Sequence, residues 1–220
     1  MRSSRQGLLL CASLLLAAGV VMVYSSSAIF AQELYGDATY FLKRHLIYLG
    51  LGLVISGWIL TLDPTQIRRW SKPMMGVALL LLVVVLFPGI GHKVSGASRW
   101  FRLGPLSIQP SELAQLVAIL YLADILSRKR SELESFLHGV LPALLVLGIT
   151  LVLILAEPDL GTAVALGVVA VLLLFVAKVP IRILLPLFLA AIPAVAGLIL
   201  ARPYRVRRII AFLNPWADPE

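Results

Sequence analysis

The sequence predicts an all-α polytopic membrane protein, with about seven transmembrane helices in a single integral membrane domain spanning residues 1–220. Three observations carry that expectation. Of the 220 residues 60% are hydrophobic and 14% are charged, against about 25% charged in a soluble domain. The mean hydropathy is +0.97. The apolar residues also fall in long blocks, more than one buried core could absorb. A soluble enzyme, a disordered chain and a disulfide scaffold are excluded, the last also because Cys11 is the single cysteine.

A bilayer core of about 30 Å needs roughly 20 apolar residues per helix. The expected spans are Gly7–Ala28, Leu46–Leu62, Met74–Phe87, Leu113–Leu126, Val140–Leu155, Thr162–Val176 and Ile183–Leu200. The first run is too long for a cleaved signal peptide and is read as a retained helix. Basic residues give the orientation. Arg2 and Arg5, then Arg68, Arg69 and Lys72, Arg128, Lys129 and Arg130, and Lys178 and Arg182 make ten of the nineteen cations. All ten become cytoplasmic if the N-terminus is inside, as the positive-inside rule requires. Seven crossings then leave the C-terminus outside.

That assignment accounts for the net charge of +8 without a nucleic-acid partner. It leaves nine cations on the outer side: Lys43, Arg44, Lys93, Arg99, Arg102, Arg202, Arg205, Arg207 and Arg208. External basic charge opposes the topology signal, so a cationic outer face suits an anionic ligand such as a lipid phosphate or diphosphate. For Lys43 and Arg44, snorkelling from a helix end is an equal alternative.

The outer connections are the informative ones. The third, Pro88–Pro110, reads as a turn-rich loop with Trp100 and Phe101 at the interface. On a helical turn Arg99 and Arg102 would share a face and clamp a diphosphate. Glu112 follows in Gln-Pro-Ser-Glu at the head of the fourth helix, a capping position that is also near membrane depth, where ionisable residues are expensive. Asp124, about 18 Å further along the helix axis, belongs to the cytoplasmic end and is expected to pair with Arg128. In Glu157-Pro158-Asp159, Asp159 should cap the sixth helix; pairing with outer arginines or holding a divalent cation are the alternatives. Arg205, Arg208 and Phe212 share a face of an expected amphipathic segment. Asn214 to Pro219 should break it, with Asp218 as a candidate base.

Tyr-Phe-Leu-Lys-Arg (40–44), Ser-Gly-Ala-Ser-Arg-Trp (95–100), Gln-Pro-Ser-Glu-Leu-Ala (109–114), Glu-Pro-Asp-Leu-Gly-Thr (157–162) and Tyr-Arg-Val-Arg-Arg (204–208) precede Asn-Pro-Trp-Ala-Asp-Pro (214–219) in that order. The ordered set resembles the SEDS family of shape, elongation, division and sporulation proteins, and is closer to its FtsW-type division members than to RodA. The resemblance covers the chain and implies the N-terminal part of a fold of roughly ten helices, cut within the loop after the seventh and inactive alone. It implies a peptidoglycan glycosyltransferase in the bacterial cytoplasmic membrane, polymerising lipid II at the outer face in cell division or cell-shape maintenance. It places the proposed catalytic aspartate at Asp218, the important loop tryptophan at Trp100 and the Gln-Pro-Ser-Glu acid at Glu112. The family commonly carries lysine where this chain has Gln115. The implied partners are a class B penicillin-binding protein transpeptidase and other division proteins.

The chemistry agrees with the charges. An acceptor hydroxyl attacks the anomeric carbon of a donor whose leaving group is undecaprenyl diphosphate, with Asp218 as general base. Cations stabilise the departing diphosphate; Lys43, Arg44, Arg99, Arg102, Arg205 and Arg208 are the candidates. Mg²⁺ or Mn²⁺ could share that work, although no ligand cluster in the sequence demands a metal. The alternatives are a lipid II flippase and a non-catalytic division scaffold. The absence of an internal repeat and the surface position of the charges favour chemistry over passage.

Overall fold

In lipid, every backbone N–H and C=O must be bonded within its own segment, so long apolar runs fold as helices. The computed structural model describes residues 2–87, 92–94, 97–103 and 106–213. Its helices are α1 (Arg2–Tyr35), α2 (Tyr40–Thr61), α3 (Pro64–Leu86), α4 (Pro110–Arg128), α5 (Leu141–Ala156), α6 (Leu160–Val176), α7 (Ile181–Leu200) and α8 (Pro203–Leu213). Among the described residues six helices are long and apolar enough to cross a membrane, and α6 is a shorter apolar helix of 17 residues. All seven expected spans are therefore helical.

Two connections differ from the sequence expectation. The second is almost absent: only Leu62 and Asp63 separate α2 from α3, so Arg68, Arg69 and Lys72 ride on the first turns of a helix. Proline at the first helical position costs no hydrogen bond and presets the backbone angle, which is why the helix starts there. The third connection is partly extended. Strands β1 (His92–Val94), β2 (Ala97–Leu103) and β3 (Leu106–Ile108) form an antiparallel sheet in the order β1-β2-β3. In a strand, positions three apart do not share a face, so the helical-turn clamp expected for Arg99 and Arg102 is not what the backbone provides.

The chain divides into two compact units, residues 1–63 and 64–220. The first is the α1–α2 hairpin. Its turn uses Gly36 at φ +68°, a left-handed conformation that glycine adopts without a Cβ penalty. Tyr35 stacks on Tyr40 with ring centroids 4.1 Å apart, and Phe41 meets both rings edge-on. Such aromatic pairs contribute about 0.5–1.5 kcal/mol beyond their area.

The second unit is built on α3, α4, α5 and α6. Their shared core includes Leu82, Ala118, Leu122, Leu147, Ile154, Leu166 and Leu174, all buried. Alanines 114, 118, 163 and 170 allow close approach, since helices in lipid gain from packing rather than from escaping water. By contrast α7 buries only Leu184. α3 and α4 run antiparallel and are fastened where α3 begins and α4 ends. There Asp124, with a side chain 3% exposed, accepts from Arg68 Nε at 3.1 Å, Arg128 Nε at 2.9 Å and Ser71 Oγ at 2.8 Å. The expected Arg128 pair is present, and the α3 partners join it. In the connection from α4 to α5, Gly139 lies so near the Glu132 carbonyl that a Cβ would collide with backbone.

Replacing Asp124 with alanine removes the carboxylate that joins two guanidiniums and the Ser71 hydroxyl, leaving Ser71 and Arg128 only their bonds to the Arg68 carbonyl. The expected loss is about 1–3 kcal/mol, read as a lower thermal midpoint of the detergent-solubilised protein. Arg128→Ala should cost less, because Arg68 and Ser71 remain. Equal midpoints for wild type and Asp124→Ala would show that this cluster does not fasten the helices.

Candidate functional site

The opposite end of the second unit is where α3 stops and where α4 and α6 begin. Gln109 precedes α4 in an extended conformation, and Pro110 fills the first position of the helix. The Gln109 side chain is turned inward: Nε2 donates to Ser111 Oγ at 2.8 Å and to Asp159 Oδ2 at 2.8 Å. Asp159 is the N-cap of α6, as expected, with Oδ1 accepting from Thr162 N at 3.1 Å and Oδ2 from Thr162 Oγ1 at 2.8 Å. A carboxylate accepting these three hydrogen bonds has most of its acceptor capacity committed within the protein. Asp159 is thus a structural clasp joining the heads of α4 and α6, and the sequence alone did not disclose its Gln109 partner.

Glu112 follows in the first turn of α4, where an anion complements the helix dipole, and its side chain is exposed. Glu157, at the end of α5, is 1% exposed. Trp100 lies on β2, half-buried and opposite His92 in the register; β2 contacts both α3 and α4. The sheet therefore sits over the end of the unit that presents Glu112. Arg99 and Arg102 belong to the same strand, and Arg208 to α8.

Arg205 has a defined structural task. It is 9% exposed, with Nη1 donating to the Leu198 carbonyl at 2.6 Å and Nε to Tyr204 Oη at 3.1 Å. A cation on a carbonyl in the last turn satisfies an acceptor that the helix leaves open and complements its negative end. Arg205 thus bends α8 back onto α7, while Arg207 on the same helix is exposed. The expected amphipathic helix is present. The break over Asn214 to Pro219, and Asp218 with it, lies outside the described residues.

Lys43 and Arg44 belong to the first unit and have local partners there. Lys43 Nζ is 2.8 Å from Asp37 Oδ2, and Arg44 lies over the Tyr48 ring at 5.7 Å from its centroid. The Lys43 and Thr39 bonds lower the Asp37 carboxyl from 3.8 to about 2. Among the described residues no group of three or more His, Cys, Asp or Glu is placed to hold a metal ion.

Two tests follow from this geometry. Asp159→Ala removes a cap and a bridging acceptor and should cost about 1–2 kcal/mol, read by thermal unfolding; an unchanged midpoint would show that the clasp carries no load. A folded-state pKa below the unfolded value means that the Asp37 contribution is complete above about pH 3.8 and disappears as pH falls through about 2. The stability difference between wild type and Asp37→Asn should therefore vanish in acid, and a difference that persists below pH 2 would contradict the Lys43 pairing.

A family profile described as "Cell cycle protein", covering FtsW, RodA and SpoVE, matches residues 5–220. A probable peptidoglycan glycosyltransferase FtsW from Geobacter sp. strain M18 is 38% identical over 96% of this chain and 58% of its own length. The stage V sporulation protein E of Bacillus subtilis strain 168 is 39% identical over 94% of this chain and 56% of that protein. Among solved structures, a chain of a peptidoglycan synthase complex that coordinates polymerization and crosslinking has a TM-score of 0.64 and 32% identity, over 91% of this chain and 60% of that one. The rod shape determining protein RodA of Thermus thermophilus gives 0.59 and 32%, over 82% and 58%. The chain thus spans somewhat over half the length of these relatives.

Proposed function

Because the chain belongs to the cell cycle protein family of FtsW, RodA and SpoVE, we propose that it is part of a peptidoglycan glycosyltransferase of the bacterial cytoplasmic membrane, polymerising lipid II at the outer face. The observation that carries this reading is similarity, over 96% of this chain, to a relative named for that activity, together with similarity to a chain of a peptidoglycan synthase complex. Charge supports the orientation. Arg68, Arg69, Lys72, Arg128, Lys129 and Arg130 all lie at the end of the second unit where α3 begins, which is then cytoplasmic. The end bearing Trp100, Glu112 and the α8 arginines faces outward.

The reaction needs a base for the acceptor hydroxyl and cations for the departing diphosphate. Asp218 is the base by its place in the family pattern, in the segment after α8. The commitment of Asp159 to three hydrogen bonds supports looking elsewhere for that acid. As the acceptor oxygen attacks the anomeric carbon, its proton passes to Asp218 and the carbon–oxygen bond to the diphosphate breaks. Exposed outer cations such as Arg207 then balance the charge that develops on the leaving group. With its nearer neighbour being Leu198, Arg205 contributes by holding α8 in position. A class B penicillin-binding protein is the expected partner, crosslinking the strand as it forms.

The test is lipid II polymerisation by the complete gene product with its transpeptidase partner, read as glycan strands on a gel. Wild type should make strands, and Asp218→Asn should lower the rate at least 100-fold, in line with loss of a general base, while its thermal midpoint stays unchanged. Equal polymerisation by the variant would remove Asp218 from the mechanism. No strands from wild type, with lipid II crossing vesicles that contain it, would replace the enzyme by a flippase.

A further inference from the structure

A second site lies at the other end of the second unit. The C-terminal ends of α4 and α6 run side by side and leave a half-open cavity of about 330 Å³ between them, within the range of small-ligand sites. Its walls are Ala123, Leu126 and Ser127 on α4 and Leu173, Val176 and Ala177 on or just after α6. Small residues on both walls, Ala123, Ser127 and Ala177, leave that space unfilled by side chains. Arg130 and Lys178 stand at its mouth, and no acid lines it.

These two cations differ from their neighbours. Arg128 is bonded to Asp124 and Lys129 to Glu132, at 2.9 Å each. Among the described residues neither Arg130 nor Lys178 forms an ion pair. Lys178 is also held in an unfavourable backbone conformation. It occupies the left-handed position that ends α6, at φ +66°, with Lys178 N donating to Phe175 O and Val179 N to Leu174 O. Glycine is the usual residue there, because a Cβ crowds the following carbonyl oxygen in that conformation. A lysine kept at that cost, at the mouth of an apolar cleft, is accounted for by something its ammonium binds.

We propose that this cleft is a binding site for an anionic phospholipid. Arg130 and Lys178 hold the phosphate of the headgroup, and one acyl chain lies against Ala123, Leu126, Leu173 and Val176. The chemistry specifies the occupant: two uncommitted cations require an anion, and an apolar wall continuing into the bilayer requires a hydrocarbon tail attached to it. A soluble phosphate would leave that wall empty. Basic pockets between transmembrane helices on the cytoplasmic side recognise anionic headgroups in this way. The site is at the opposite end of the unit from Trp100 and Glu112, so the proposal stands whether or not the catalytic reading does.

The experiment is native mass spectrometry of the complete protein in detergent, titrated with phosphatidylglycerol, cardiolipin or phosphatidylcholine. Wild type should retain the two anionic lipids at least fivefold more strongly than phosphatidylcholine, and Arg130→Gln/Lys178→Gln should lose that preference. Lys178→Gly supplies a second readout. It relieves the left-handed strain, so its lipid-free thermal midpoint should be no lower than that of wild type, while the rise in midpoint on adding cardiolipin should shrink. Equal retention of all three lipids, or an undiminished anionic preference in the double variant, would overturn the proposal. So would a cleft filled by another helix of the complete protein, since wild type would then show no anionic preference.

Discussion

Polar groups placed in lipid must find their partners inside the protein, and that constraint organises the second unit. α4 carries the load at both ends. Where it begins, Gln109 donates both to Ser111 and to Asp159 at the head of α6; where it ends, Asp124 gathers Arg68, Ser71 and Arg128. Between these clasps the helices meet through apolar side chains and alanines, which hold them close but specify register weakly. Directional bonds at the two ends supply the register that dispersion alone does not.

The same constraint separates structural charge from charge available for chemistry. Asp37, Asp124 and Asp159 are each surrounded by donors from nearby elements, and Arg205 is held by a helix-end carbonyl. Once these are assigned, two sets of exposed charge stand out at opposite ends of the unit. One contains Glu112 on α4, the helix that the strand carrying Trp100 contacts, and Arg207 on α8. The other is the Arg130 and Lys178 pair at the cleft. A membrane protein can keep such groups only where water or a headgroup reaches them, so both sets mark the two surfaces of the bilayer.

Much of this was legible in the sequence, because hydropathy and local capping are local signals. The seven apolar runs became seven helices, Pro110 and Glu112 marked the start of α4, Asp159 its cap position on α6, and the i,i+4 spacing of Asp124 and Arg128 gave their pair. What escaped depends on distance along the chain. Arg68 lies 56 residues from Asp124, and Gln109 lies 50 from Asp159, and no periodicity links such positions. The strand over 97–103 was obscured by its glycine and proline surroundings, which signal turns even when the segment between them pairs. Arg205 shared a helical face with Arg208 by spacing, yet the fold turned it to the end of α7. The assignment of Asp218 rests on pattern, and it lies beyond the residues described.

The length of α6 has a consequence for the bilayer itself. Seventeen residues rise about 26 Å, roughly 4 Å less than the hydrocarbon core of a typical membrane, whereas α3 and α7 have 23 and 20 residues. A short apolar helix beside a longer one meets a hydrocarbon layer thicker than its own length, a mismatch that local thinning of the leaflets or side chains reaching to the headgroups can absorb. The lipid beside α6 therefore meets a shorter apolar face than the lipid beside α3.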